Sequence, residues 1–124
     1  MKRSVLLLLA AALAAGCGGA SKHTTTALLP IVVERPTPDE HVPPTFHVSG
    51  TASVFEATLV VQTLQGGKTV ERKTVTASEG APGRGTFDVT MHAPSGQLVV
   101  RAFSPSAKDG SPQHEVKVHV VVTP

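Results

Sequence analysis

The chain has 124 residues, which is enough for one small domain and too few for two. Its formal net charge is +2, from 11 Lys and Arg against 9 Asp and Glu, and Lys2 and Arg3 account for the whole excess. Residues 17–124 are therefore formally neutral, which removes the electrostatic argument for nucleic-acid binding, and four Phe with no Trp or Tyr leave few aromatic faces for stacking bases or sugars.

The first sixteen residues have the pattern of a secretory signal peptide. The two basic residues form a positive n-region, and the apolar run Val5–Ala15 that follows is too short for the roughly 20 residues that span a bilayer. The run ends in Leu13–Cys17, which resembles a bacterial lipobox with Ala14 at the position where Leu is commoner. The sequence predicts cleavage between Gly16 and Cys17 and lipid modification of Cys17.

Cys17 is the sole cysteine of the chain. A thioether to a diacylglycerol explains a solitary cysteine on an exported protein, and two acyl chains are what stable anchoring requires. The alternative is a plain secretory signal with an incidental cysteine just past the cut. The first interpretation predicts a protein on the extracytoplasmic face of the cell membrane, with the membrane as its partner through the lipid on Cys17.

Residues 17–30 are predicted to form the lipid anchor and a flexible tether, because Gly18–Ala27 is small, polar and without hydrophobic periodicity. Over residues 31–124 short β-branched runs alternate with Pro- and Gly-rich segments, and no helical period occurs. Seven strands are predicted, and they are Ile31–Glu34, Thr45–Ala52, Ala57–Leu64, Thr69–Ala77, Thr86–His92, Gln97–Phe103 and Glu115–Val122.

Each predicted strand has one apolar face, which indicates an all-β fold in which two sheets bury these faces against each other. The disulfide and the tryptophan of antibody domains are absent from the sequence. The residues predicted to point inward are Val32, Phe46, Val48, Leu59, Val61, Phe87, Val89, Met91, Leu98, Val100, Val116, Val118 and Val120. The sequence therefore predicts a seven-stranded β-sandwich.

Four segments carry a resemblance to a known family, and they are Pro36–Asp39, Val48–Ala52 with Phe55-Glu56, Gly80–Phe87 and Phe103–Ser111. Residues 31–122 resemble the immunoglobulin-like domain of bacterial spore-germination and related envelope lipoproteins, the GerMN-associated family. That family often has Gly where this chain has Ala57, and Glu where it has Ser104. The resemblance implies an immunoglobulin-like sandwich over residues 31–124 and a place in the cell envelope, and it supplies no catalytic residues.

No catalytic group, metal site or cofactor is predicted. Zinc sites usually show closely spaced ligand pairs, whereas the histidines of this chain are isolated, and they are His23, His41, His47, His92, His114 and His119. Three of them, His47, His92 and His119, are expected on the solvent faces of strands. Serines near Lys108 and Asp109, namely Ser104, Ser106 and Ser111, are explained by a Lys-Asp-Gly turn without a nucleophile.

Phe55, Glu56, Lys108 and Asp109 are the candidate recognition residues. The loops that carry them are expected at one end of a sandwich, where Glu56 and Lys108 can pair. The four residues then form either a structural corner that fixes the loops or a recognition surface.

The leading functional hypothesis is a non-enzymatic binding or scaffolding module of the cell envelope, with an unidentified envelope protein or cell-wall component as its partner and no nucleic acid. A small-solute or metal-binding lipoprotein and a hydrolase are the alternatives.

Overall fold

The computed structural model describes residues 29–124, which form a sandwich of two β-sheets. The strands are β1 (Ile31–Arg35), β2 (His41–Val42), β3 (Thr45–Ala52), β4 (Thr58–Gln65), β5 (Lys68–Thr76), β6 (Gly85–His92), β7 (Gly96–Pro105) and β8 (Pro112–Val122). One sheet has the order β1-β3-β6 and the other the order β2-β8-β7-β4-β5. Neighbouring strands are antiparallel except β2, which is parallel to β8. The predicted all-β, immunoglobulin-like sandwich is confirmed.

All seven predicted strands are present, with bounds that differ from the prediction by at most three residues. The sequence missed β2, which pairs with Val121 and Val122 at the end of β8. Two residues followed by Pro43-Pro44 are too few to show an alternating pattern. β2 nevertheless has a clear role, because it carries the chain from the three-stranded sheet to the edge of the five-stranded sheet.

The hydrophobic core lies between the two sheets. The predicted inward residues belong to it except Val32, although Val89 and Val116 are only partly buried and pack against its edge. Val32 is only partly buried and lies outside the core cluster, whereas Ile31 is fully buried and Val33 packs against the core. The register explains this, because β1 sets Ile31 opposite the buried Ala52 and Val32 opposite Thr51. Three consecutive apolar residues contain no alternation, so the sequence could not determine which face of β1 points inward.

A second, smaller apolar patch lies on the outer face of the five-stranded sheet. Phe103 is 2% exposed although it is not part of the core between the sheets. The guanidinium carbons of Arg101 and Arg72 lie 4.7 Å and 5.6 Å from the centre of its ring. Arg101 also donates to the Gln62 side chain at 2.9 Å and to the Glu115 carboxylate. Charged side chains therefore cover this patch in place of a third layer of structure.

Side chains from β5 cover the free edge of β6. The Lys73 ammonium donates to the Thr90 carbonyl at 2.7 Å, and the His92 backbone N–H donates to the Glu71 carboxylate at 2.7 Å. Partial burial raises the pKa of Glu71, but the hydrogen bonds from His92 and the Lys73 charge outweigh it and leave the pKa below its usual value. Occupied backbone groups make this edge a poor template for pairing with another chain.

We expect Phe87→Ala to lower the free energy of unfolding by about 3–5 kcal/mol, because the ring is 4% exposed and its removal leaves a cavity. Denaturant unfolding of the purified protein measures this change. Phe55→Ala is a matched control, since that ring is 61% exposed and its loss should cost less than about 0.5 kcal/mol. Equal losses in the two variants would contradict the interior position of Phe87.

Candidate functional site

The end of the sandwich where β1 begins and β3 ends gathers the predicted recognition residues. Three loops meet there: residues 53–57 between β3 and β4, residues 77–84 between β5 and β6, and residues 106–111 between β7 and β8. Backbone hydrogen bonds link the first two loops to each other and to the start of β1. We call residues 29–30, 53–57, 77–84 and 106–111 together the Phe55 end.

A single 3₁₀ turn, Phe55–Ala57, holds the Phe55 side chain outward. Glu56 and Ala57 have φ values of 56° and 58°, in the left-handed region that is unfavourable for residues with a side chain. The Ala57 N–H donates to the Val54 carbonyl at 3.0 Å, which fixes the turn, and Phe55 remains 61% exposed. Position 57 is where the resembling family often has glycine, and the positive φ gives the physical reason for that preference.

The loop of residues 77–84 supports this turn from the side. The Ala81 N–H donates to the Val54 carbonyl at 2.9 Å, so this one oxygen accepts from both loops. Gly80 packs so closely that a Cβ atom placed on it would lie 2.8 Å from the backbone nitrogen of Ala57. The exposed position of the Phe55 ring is therefore imposed by backbone contacts from two segments of the chain.

The start of the described chain lies at the same end. The Ser53 N–H donates to the Pro30 carbonyl at 2.7 Å, and the Arg84 guanidinium donates to the Leu29 carbonyl at 2.6 Å. Leu29 itself is 63% exposed. The segment that contains Cys17 therefore joins the sandwich beside the Phe55 turn.

Sequence reasoning missed the roles of Leu29 and Arg84. The sequence places Leu29 in the predicted tether. The feature that could have indicated Arg84 is its position between Gly83 and Gly85, in a loop that resembles the family. Gly16 and Cys17, the predicted cleavage and lipidation residues, lie outside the described residues. Within residues 29–124 the structure contains no helix that is long and apolar enough to cross a bilayer.

The loop between β7 and β8 is closed by its own hydrogen bonds. The Ser106 N–H donates to the Ser111 carbonyl at 2.8 Å, and the Lys108 N–H donates to the Ser106 hydroxyl at 3.1 Å. The Ser111 N–H donates to the Asp109 carboxylate at 3.0 Å, and this bond lowers the pKa of Asp109. Ser106 and Asp109 thus shape the turn, while Lys108 is exposed to solvent.

The structure brings Phe55 and Glu56 next to this loop but does not pair Glu56 with Lys108. A shallow cleft of about 370 Å³ has Phe55, Glu56 and Thr58 on one side and Pro105, Ser106 and Ala107 on the other. The ion pairs of residues 29–124 are His47–Asp88, Lys73–Glu71, His92–Glu71 and Arg101–Glu115. The expected contact between the Glu56 and Lys108 charges is absent from this described part, because local hydrogen bonds determine the shape of each loop separately.

The histidines predicted on solvent faces are exposed. His47 Nδ1 is 2.8 Å from the Asp88 carboxylate, and His92 Nδ1 is 3.2 Å from Glu71. His119 is exposed on β8. In the part of the chain that the structure describes, no three His, Cys, Asp or Glu side chains are placed to hold a metal ion.

A second concave surface lies on the flank of the sandwich rather than at its end. This groove, of about 690 Å³, crosses the outer face of the five-stranded sheet. Its lining combines the apolar Leu64 and Val99 with the charged Arg101, Glu115 and Lys117. Arg101 donates to the Glu115 carboxylate, so these two charges neutralise each other within the groove.

Comparison with known proteins identifies a family and a structural likeness. A family model described as the immunoglobulin-like domain of bacterial spore germination matches residues 30–111. The fibronectin(III)-like modules of Clostridium thermocellum CbhA are similar with a TM-score of 0.45 and 15% identity, over 74% of this chain and 93% of that chain. No curated protein matches the chain. The family match spans all of the Phe55 end except Leu29.

We expect Gly80→Ala to loosen the Phe55 turn, because the added Cβ would collide with backbone that cannot move without breaking the bonds to Val54. Overpacking of this kind costs about 1–3 kcal/mol. Amide hydrogen exchange should accelerate at Ala57 and Ala81, with Val61 in the core strand β4 as the internal reference. Protection at both loop amides equal to that of the wild type would show that Gly80 does not support the turn.

Proposed function

The chain belongs to the family of immunoglobulin-like domains of bacterial spore germination, and we propose that it works as a lipid-anchored, extracytoplasmic binding or scaffolding module of the cell envelope. Its binding surface is the Phe55 end, and it catalyses no reaction. The observation that carries the proposal is the place where Leu29 and Pro30 are held, beside the Phe55 turn. A chain anchored at Cys17 is joined to its membrane through this end.

The anchor is supported by the order of features in the first seventeen residues. A positive n-region, an eleven-residue apolar run and small residues directly before a cysteine are the successive parts of a lipoprotein signal. The absence of any other cysteine in the sequence fits a thiol that is consumed by lipid.

A non-catalytic role is supported by the positions of Ser104 and Ser106. Ser104 is 3% exposed within β7, and the Ser106 hydroxyl accepts the Lys108 N–H within its own loop. The burial of Ser104 and the use of the Ser106 hydroxyl within its own turn support structural roles for both serines.

The Phe55 end is supported as the binding surface by the way its side chains are presented. Phe55 is fixed in an exposed position, and aromatic side chains on rigid loops are frequent anchors of recognition. Glu56 and Lys108 are also exposed, and neither forms an ion pair with another residue of the described chain. Exposed groups without a structural partner remain available to bind another molecule.

We expect Cys17→Ser to prevent lipidation and to move the protein from the detergent phase to the aqueous phase on phase separation, because two acyl chains supply the membrane affinity. Ser95→Ala, a change at an exposed serine at the opposite end that leaves the signal sequence intact, is the control for altered expression. If the Cys17→Ser protein stayed in the detergent phase as fully as the wild type, the anchor would be wrongly assigned.

We expect Lys108→Glu to leave the stability within about 0.5 kcal/mol of the wild type, because the side chain is exposed and its charge lies outside the ion pairs of residues 29–124. The same change should abolish crosslinking to the envelope partner in intact cells. Lys68→Glu, the same substitution at the opposite end of the sandwich, is the matched control. Unchanged crosslinking of a folded Lys108→Glu protein would remove Lys108 from the binding surface.

A further inference from the structure

Exposed apolar side chains are concentrated at the Phe55 end. The large hydrophobic residues that are exposed in the described chain are Leu29 at 63%, Phe55 at 61% and Val70 at 42%. Val70 lies near the Gly66-Gly67 turn, at the opposite end of the sandwich. Single exposed hydrophobic residues are common on proteins, so the informative fact is that two of the three lie where the segment from Cys17 joins the domain.

The length of that segment limits how far the Phe55 end can move from an anchor at Cys17. Eleven residues, 18–28, separate Cys17 from Leu29, and even fully extended they reach only about 40 Å. The opposite end of the sandwich is separated from the Phe55 end by the length of a strand. The eight residues of β3, for example, span about 26 Å. The Phe55 end is thus the part of the domain nearest to the lipid along the chain.

We propose that Leu29 and Phe55 of the Phe55 end insert into the lipid bilayer itself, at the boundary between headgroups and acyl chains, and that Lys108 lies outside this contact and stays open to the envelope partner. This inference rests on the proposed function, because the lipid on Cys17 supplies the bilayer next to which the domain is held. Insertion at this boundary buries apolar side chains by about 5–10 Å, a depth within reach of two protruding residues on adjacent segments.

The rigidity of the turn suits this contact. The bonds that Ala57 and Ala81 donate to the Val54 carbonyl hold the Phe55 ring outward before it meets any surface, so little conformational freedom is lost on insertion. Two side chains bind a bilayer weakly by themselves, but tethering converts this contact into an intramolecular one at high effective concentration.

The charges of the Phe55 end provide no electrostatic attraction to anionic lipids. Glu56, Glu79 and Asp109 outnumber Arg84 and Lys108 there. The guanidinium of Arg84 is further occupied by the Leu29 carbonyl. Anionic headgroups repel a surface with one more negative than positive charge, so insertion of Leu29 and Phe55 has to supply the whole of the proposed attraction.

The test uses the full-length lipidated protein in phosphatidylcholine vesicles that carry a nitroxide on the headgroup. Because lipid occupies the Cys17 thiol, a single new cysteine can be labelled selectively with a fluorophore. Ser111→Cys places the label at the Phe55 end, and Ser95→Cys places it at the opposite end. We expect the nitroxide to quench the label at position 111 several-fold more than the label at position 95. Adding Phe55→Ser should reduce quenching at 111 toward the value at 95, whereas Val70→Ser should leave it unchanged.

Equal quenching at the two positions, or quenching at 111 that Phe55→Ser does not alter, would overturn the docking. A photoreactive group at position 55 that crosslinks to a protein in intact cells, and not to lipid, would identify a protein as the occupant and would also overturn the docking. Failure of the anchor itself is recognised separately, because Cys17 would then take up the fluorophore in the parent protein and that protein would not sediment with vesicles.

Discussion

Each of the two sheets has one apolar face, and the burial of these faces against each other is the constraint on which the rest of the structure depends. Val48, Leu59 and Val100 are completely buried between the sheets, and because strand residues alternate, the burial of one residue determines the direction of its neighbours. The antiparallel order then places the ends of β3, β5 and β7 together. The Phe55 end is therefore assembled by the core, although most of its own side chains contribute nothing to that core.

The part of this arrangement that could be predicted from the sequence is the part that follows from alternation. Apolar and polar residues alternate in β6 and in the Glu115–Val120 part of β8, and the inward faces predicted for both are confirmed. In β1 the run Ile31-Val32-Val33 does not show which residues point inward, and the prediction that Val32 points inward is wrong. The loops could be assigned to one end from topology, but not the contacts within them. The bond from Lys108 to the Ser106 hydroxyl and the clamp of Arg84 on Leu29 depend on local geometry that no periodicity encodes.

An aromatic ring is covered by charged side chains on the outer face of the five-stranded sheet but is left exposed at the Phe55 end. On the outer face of the five-stranded sheet, the aromatic ring of Phe103 lies under the guanidinium groups of Arg72 and Arg101, whose polar atoms face water or bind Gln62. At the Phe55 end no long charged side chain is stacked on the Phe55 ring in the described chain. The Phe55 ring is therefore exposed whereas the Phe103 ring is covered, and this difference is consistent with the binding role proposed for Phe55.

The pairing of β1 with β3 has a mechanical consequence. β1 starts at the Phe55 end and runs away from it, and four residue pairs join it to β3. Under the proposed anchoring, a pull between the membrane and the far end of the domain acts along the strand axes. Such a force shears all four pairs at once instead of peeling them apart in sequence, and rupture then requires their simultaneous failure. A domain tied to a surface through its first strand in this direction can transmit tension without opening its core.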